Sequence, residues 1–327
     1  MILEDLSSVS APLPWQAAQW QEIHNAFQQG QLPHALMLSG STGVGKDRFA
    51  LALARLLLCH SIKAGTNCGS CKACELSRNE THGDLRWLQP EGTSRVIKID
   101  QVRSALAFCQ KTASFGERKV LVIAPADTLN VNAANALLKC LEEPSPGTHI
   151  ILVCQRPHSI PATVRSRCQQ LVFPLPDTEV AKQWLAPIVG DNQGAGASDY
   201  LELAGGRPLL AEALFLTDGG AALKARGTVL SELISGRVSA SEASAVFADA
   251  SLEELTRFMI EQLERRLRKA AHESEHGSAD RQAERAMFTL LDELRRGQAA
   301  VVSGANPSRD LYLQTTLGRW QSVLGGA

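Results

Sequence analysis

The stretch that most constrains this chain runs from His34 to Asp47, HALMLSGSTGVGKD, with the apolar run Phe49–Leu58 behind it. Ala35 to Leu38 is short, apolar and flanked by loop residues, which is how a buried strand reads. Gly40 to Lys46 then fits G-x-x-x-x-G-K, the loop whose backbone N–H groups wrap phosphates. Phe49, Ala52, Leu53, Leu56 and Leu57 recur at helical spacing, so a helix follows. The glycines let the backbone approach an anion, and the helix N-terminus turns partial positive charge toward it. Gly40, Gly43, Gly45 and Lys46 are therefore candidate phosphate ligands, with Lys46 reaching the outer phosphates. The motif wants Ser or Thr as its last residue, because that hydroxyl holds magnesium. This chain has Asp47, a carboxylate beside the expected triphosphate.

The rest of the chain builds an α/β layer around that unit. Pro14 to Gly30, with Trp15, Trp20, Ile23 and Phe27, predicts a helix ahead of the first strand. Asp100 is placed to cap a helix over Gln101 to Lys111, with Val102, Leu106 and Phe108 or Cys109 inward. Lys119 to Ala124, His149 to Cys154 and Gln170 to Phe173 read as three more strands. Asn132 to Glu143 reads as a helix stopped by Pro144, and Ser159 to Arg165 leads to Ser166-Arg167-Cys168. Strands alternating with helices imply a mostly parallel sheet covered on both faces. After Pro176 the pattern is helical. Thr178 to Ile188 and Asp199 to Leu216, around Gly205-Gly-Arg-Pro208, make a small unit. Three apolar stripes follow, beginning at Leu252, Ala283 and Leu313, with a polar loop at 272–279 between the first two. The expected division is 1–175, 176–217 and 218–327.

The chain has 327 residues and a formal charge of −1, from 33 basic and 34 acidic side chains, which gives no support for direct nucleic-acid binding through net charge. No apolar run approaches the ~20 residues of a membrane helix. The start, MILED, lacks the basic and apolar regions of a secretory signal. The expected setting is the cytosol, where thiols stay reduced.

The eight cysteines then need a use other than disulfides. Cys59, Cys68, Cys71 and Cys74 are spaced C-x8-C-x2-C-x2-C, and four thiolates complete a tetrahedral zinc site of the closed, structural kind. Gly65, Gly69, Asn67 and Ser70 supply the turns that let the ligands converge. Cys109, Cys140, Cys154 and Cys168 read as small buried apolar residues. A hydrolysing phosphate site also needs acids at the end of a neighbouring strand. Here the strand that begins at Lys119 ends in Ala124-Pro125, and Asp127 falls two residues late, where it starts a turn. Arg167, just before a strand on the rim of the sheet, reads by itself as an exposed, ion-paired arginine; the same placement lets a guanidinium reach phosphates held by a neighbouring subunit.

Gly40 to Lys46, the cysteine cluster, NALLKCLEEP ending at Pro144, Ser166-Arg-Cys168 and Asn306-Pro307 before a Leu-rich helix together resemble bacterial clamp-loader proteins of the AAA+ class. The resemblance covers nearly the whole chain. It implies an AAA+ domain with a zinc-knuckle insert at 59–74, a helical lid and an all-α C-terminal collar that holds the subunits of a ring together. Within that family, motor subunits (gamma/tau) keep complete ATPase motifs, and a stator type has degraded ones. Asp47, Ala124 and Pro125 match the stator, as do Leu209 and Leu210 where a second sensor arginine is expected. The resemblance further implies a hetero-pentamer with motor subunits and a delta subunit. Such a ring acts on a sliding clamp and primed-template DNA, with Arg167 as an arginine finger in trans. Residual ATP binding stays open, because Lys46 and the glycines remain. The rival readings are a P-loop ATPase active in its own site and a zinc module that binds DNA. Against the latter, the insert carries only Lys63 and Lys72 as basic residues and no stacking aromatic.

Overall fold

The computed structural model describes residues 7–92, 94, 96–190, 196–217, 219–273, 278–302, 305 and 307–325. Asn306 and the middle of the polar loop at 272–279 lie outside them. Two compact units divide the chain, 1–212 and 213–327.

In the first unit a short 3-10 turn over Pro14–Gln16 leads into α1 (Ala17–Gln28). Then come β1 (Ala35–Gly40), α2 (Lys46–Leu58), α3 (Lys72–Arg78), β2 (Leu85–Leu88), α4 (Ile99–Cys109) and β3 (Lys119–Ile123). They are followed by α5 (Val131–Glu142), β4 (Thr148–Cys154), α6 (Ala162–Arg165) and β5 (Gln169–Phe173). The strands form one parallel sheet in the order β2-β3-β4-β1-β5, with Leu36 opposite Ile151 on one side and Gln169 on the other. β1 is buried along Ala35–Ser39, which is why its sequence is continuously apolar rather than alternating. One face of the sheet packs Leu36, Leu38, Val120, Val122 and Leu171 against α2. Phe49 stacks edge-on between Trp20 and Phe173, with centroids 5.3 and 4.9 Å away. The other face packs Met37, Leu121, Ile150 and Leu152 against α4 and α5.

Three details depart from the sequence reading. β2 is a strand that the hydrophobic pattern does not reveal, because Leu85-Arg-Trp-Leu88 is four residues long, half-exposed and on the sheet's edge. Asp100 is not a cap. α4 begins at Ile99, and the side chain of Gln101 accepts the Lys98 N–H at 2.9 Å, leaving Asp100 in the first turn, where its charge suits the helix dipole. At α5 Asn130 accepts the Ala133 N–H at 2.8 Å and so fixes the start one residue early.

α7 (Thr178–Val189), capped by Asp177, α8 (Ala197–Leu203) and α9 (Pro208–Leu216) follow. Trp184 of α7 meets Trp15 edge-on at 5.3 Å, and Arg48 of α2 pairs with Glu212 at 2.8 Å, so these helices are fastened to the α/β layer. The second unit is helical throughout its described residues: α10 (Gly219–Ile234), α11 (Ala240–Ala245), α12 (Leu252–Glu273), α13 (Ser278–Val302) and α14 (Arg309–Leu324). Leu255, Met259 and Leu263 of the first stripe, Leu290, Leu291 and Leu294 of the second and Leu313, Leu317 and Trp320 of the third close on one core. Ser239 with Glu242, and Ser251 with Glu254, form reciprocal caps that start α11 and α12. No helix among the described residues is long and apolar enough to cross a membrane.

The edge strand depends on a buried carboxylate. Asp84, fully buried ahead of β2, accepts the Ser114 and Phe115 N–H groups, both at 2.7 Å, and faces Lys119 Nζ at 4.0 Å. Asp84→Ala leaves two amides unpaired and a buried ammonium without its counter-charge, a loss of about 3 kcal/mol. The expected fall in thermal midpoint is about 6–12 °C, readable by calorimetry.

Candidate functional site

The carboxyl end of β1 opens into the phosphate loop. Gly43 and Gly45 hold φ of 82° and 90°, a left-handed backbone that any side chain would strain. At Gly40 a Cβ would strike the Phe173 carbonyl oxygen at 2.3 Å. The motif's glycines are therefore required by this geometry. The loop's carbonyls, however, are taken by the chain itself. Lys46 is almost fully buried, and its ammonium donates to Gly40 O at 2.8 Å and Ser41 O at 2.7 Å. Trp15 Nε1 donates to Val44 O at 3.0 Å, and Gln16 Nε2 reaches Val44 O and Gly45 O at 3.1 and 3.0 Å. The Leu209 amide donates to Gly43 O at 3.0 Å. Leu13 and Leu209 lie against Gly45, and Leu210 against Gly43. The two leucines at the place of the expected sensor arginine thus pack on the loop.

The electrostatics follow from burial. Desolvation lowers the Lys46 pKa, with Asp47 and Asp127 opposing. Burial raises the Asp47 pKa, and Asp127 adds to the rise. Asp127 sits in the 3-10 turn Ala126–Thr128 after β3, where a turn is expected. Its carboxylate accepts the Gln155 N–H at 2.9 Å and lies 3.8 Å from Arg156 Nε, so it is committed to the end of β4. At the end of β3 stand Ala124 and Pro125, which carry no carboxylate to offer a metal.

The insert behind α2 brings Cys59, Cys68, Cys71 and Cys74 together, with all four sulfurs within 4.8 Å of one another. The separations are 4.0 Å for Cys59–Cys71, 3.9 Å for Cys68–Cys74 and 3.7 Å for Cys59–Cys74. A tetrahedron with metal–sulfur bonds of about 2.3 Å has edges of about 3.8 Å, so the cluster has the size of a four-thiolate metal site. Amides of Ser61 and Cys68 point at Cys59 Sγ from 3.4 and 3.2 Å, and that of Cys71 at Cys68 Sγ from 3.3 Å, the polarity that favours thiolates. The Ser70 amide leads in holding the Cys68 thiol down to about 6, while burial pushes Cys59 up to about 12.

Gly65 and Gly69 do make the left-handed turns of the insert, but Asn67 has another task. Its side chain accepts the Ser10 N–H at 2.8 Å and donates to Ser8 O at 2.9 Å and Cys74 Sγ at 3.3 Å. Arg55 of α2, 2% exposed, donates to Ser7 O and Ser10 Oγ at 3.0 and 2.7 Å. The knuckle therefore pins residues 7–10, which lead directly to Leu13 and Gln16 over the phosphate loop. Neither Arg55, Asn67 nor Gln16 carries a motif. A buried position for a polar residue is the only signal that could have found them.

Arg167 leaves the end of α6 with its side chain about one-third exposed. Its Nη1 donates to Thr163 O at 2.7 Å, and its Nη2 pairs with Glu142 at 2.5 Å, at the end of α5. Cys109, Cys154 and Cys168 are buried as expected, and Cys140 is half-buried beside them.

A solved structure with this architecture is a DNA polymerase III gamma subunit-related protein from Thermotoga maritima, TM-score 0.50 at 19% identity, covering 93% of this chain and 99% of that one. The five-stranded parallel sheet, the glycine loop and the helical C-terminal part give this chain the P-loop α/β fold of that protein. Residues 15–177 match the family described as DNA polymerase III, delta subunit. The DNA polymerase III subunit delta' of Pseudomonas aeruginosa is 33% identical over 327 residues, 95% of this chain and 98% of that protein. That of Escherichia coli is 35% identical over 205 residues, 63% of this chain and 61% of that protein. The chain belongs to the family of DNA polymerase III delta-prime subunits.

Proposed function

We propose that this chain is the stator subunit of a bacterial clamp loader, which hydrolyses no ATP itself and supplies Arg167 in trans to the ATP site of an adjoining motor subunit. The observation that carries this reading is the contrast between the two ends of the nucleotide chemistry. In the chain's own loop the Lys46 ammonium is turned back onto Gly40 O and Ser41 O, Asp47 stands where a magnesium-binding hydroxyl is wanted, and the strand beside it ends in Ala124-Pro125 without a carboxylate. Arg167 stands at the rim, partly exposed. A guanidinium so placed stabilises charge that develops on a neighbour's phosphates. Gly40, Gly43, Gly45, Lys46 and Asp47 are then an inherited phosphate loop. The partners are the gamma/tau motor subunits and a delta subunit in a hetero-pentamer. Sliding clamp and primed DNA are met through the complex, in the cytoplasm. Residues 1–175, 176–217 and 218–327 serve as AAA+ domain, lid and oligomerising collar.

Cys59, Cys68, Cys71 and Cys74 hold a structural zinc ion. The shell is closed by protein sulfur, which leaves no position for water or substrate. Its work is to set the insert that Asn67 ties to Ser8 and Ser10.

The purified chain is expected to show only background ATP turnover, with or without primed DNA. A rate near that of a motor ATPase, abolished by Lys46→Ala, overturns the stator reading. Arg167→Ala is expected to leave assembly intact by size-exclusion chromatography. The adjoining ATP site should then slow by about 10³-fold, seen as a lower steady-state ATPase of the reconstituted complex. Elemental analysis is expected to give one zinc per chain, lost on Cys71→Ser with a lower melting temperature. A metal-free protein of equal stability would remove the zinc assignment.

A further inference from the structure

We infer that Glu142 is a holding partner for Arg167: its carboxylate occupies the guanidinium in the free chain and must give it up when a phosphate arrives from a neighbouring subunit. The inference rests on the trans role of Arg167 proposed above and assigns a regulator to it.

Glu142 is an unusual residue where it stands. It is the last residue of α5, and Glu143 follows it, so two carboxylates sit at the negative end of that helix. Acidic side chains are disfavoured there, since the last carbonyls already concentrate negative charge. A residue that breaks a local rule points to a compensating partner or a task. Arg167 is that partner, with Nη2 at 2.5 Å from the Glu142 carboxylate. The same guanidinium donates Nη1 to Thr163 O at 2.7 Å, a carbonyl near the end of α6 that also accepts Ser166 Oγ at 3.1 Å. Arg167 thus rests between the end of α5 and the single turn of α6 in its own chain.

The arrangement has a chemical consequence. A guanidinium beside a carboxylate is neutralised, and a neutral pair lends little to the charge of a transferring phosphoryl group. For Arg167 to act on a phosphate, Glu142 must release it. A γ-phosphate carries more charge than a carboxylate and takes an arginine fork bidentately, so it displaces Glu142 once a neighbour presents it. The pair is about one-third to one-half exposed on its two sides, and such pairs hold loosely enough to exchange. In the free subunit the pair keeps the arginine from binding stray anions. In the complex it makes engagement depend on bound ATP next door.

The test is Glu142→Gln, which keeps shape and removes charge, measured in the reconstituted complex with the motor subunit. The concentration of this chain that half-maximally stimulates the motor's ATPase is expected to fall by about two- to fivefold, the range an exposed ion pair can supply. The shift should vanish in the Arg167→Ala background, whereas a merely structural effect would persist there. Glu143→Gln, one residue on and also exposed, is the control and should change nothing. If Glu142→Gln leaves the half-maximal concentration unchanged or raises it while Arg167→Ala still lowers the ATPase, the holding role is wrong and the trans role stands. If Arg167→Ala has no effect on the ATPase, the trans role fails and the holding role falls with it.

Discussion

A loop that wraps phosphate must expose its N–H groups on one side, and its carbonyls then face the protein with no regular ladder to receive them. Buried carbonyls left unpaired cost about 1–3 kcal/mol each. The first unit is organised around meeting that demand. Lys46 folds back on Gly40 and Ser41, Trp15 and Gln16 come from the turn before α1, and the Leu209 amide comes from the start of α9. Two separate pieces of chain, with Lys46 at the loop's own end, converge on Gly40–Gly45. Trp184 and Glu212 strengthen the same closure through Trp15 and Arg48. α7 and α9 are in this sense part of the loop's support.

That closure holds the loop's scaffold independently of any catalytic group. The glycines are held by the backbone's own needs: a Cβ at Gly40 or Gly45 meets an atom at 2.3 Å. No comparable constraint is visible at the end of β3, where buried Ala124 and then Pro125 stand in place of acids. A P-loop fold can therefore lose magnesium ligands and remain intact. Asp47 and Asp127 do not restore them, one being shifted toward its neutral form by burial and the other being bonded to Gln155.

The cysteine cluster belongs to the same system. Asn67 and Arg55 bind residues 7–10 from two sides, and that segment continues to Leu13 and Gln16 above the loop. A small loop-rich insert has too little apolar surface to hold such a position by itself, and the metal proposed for its four clustered cysteines would supply the missing cross-link. An insert that looks peripheral along the chain is in contact with the elements that seal the phosphate loop.

What the sequence determined by itself is what depends on short spacing. Strand, glycine loop and helix follow one another from Ala35 to Leu58, and three of the four clustered cysteines lie in seven residues. The missing acids were legible because a strand's end is adjacent to the strand. The edge strand β2 escaped notice because four half-exposed residues carry no decisive period. The cap of α4 was misassigned because a nearby Gln can serve as well as an Asp. Only the tertiary structure decided which groups satisfy the loop, what Asn67 ties together and that Glu142 faces Arg167. Those partners come from distant parts of the chain, 29 residues apart for Trp15 and Val44 and 59 for Asn67 and Ser8. Polar groups choose such partners by burial and geometry after the chain has closed, and residue identity along the chain holds no record of that choice.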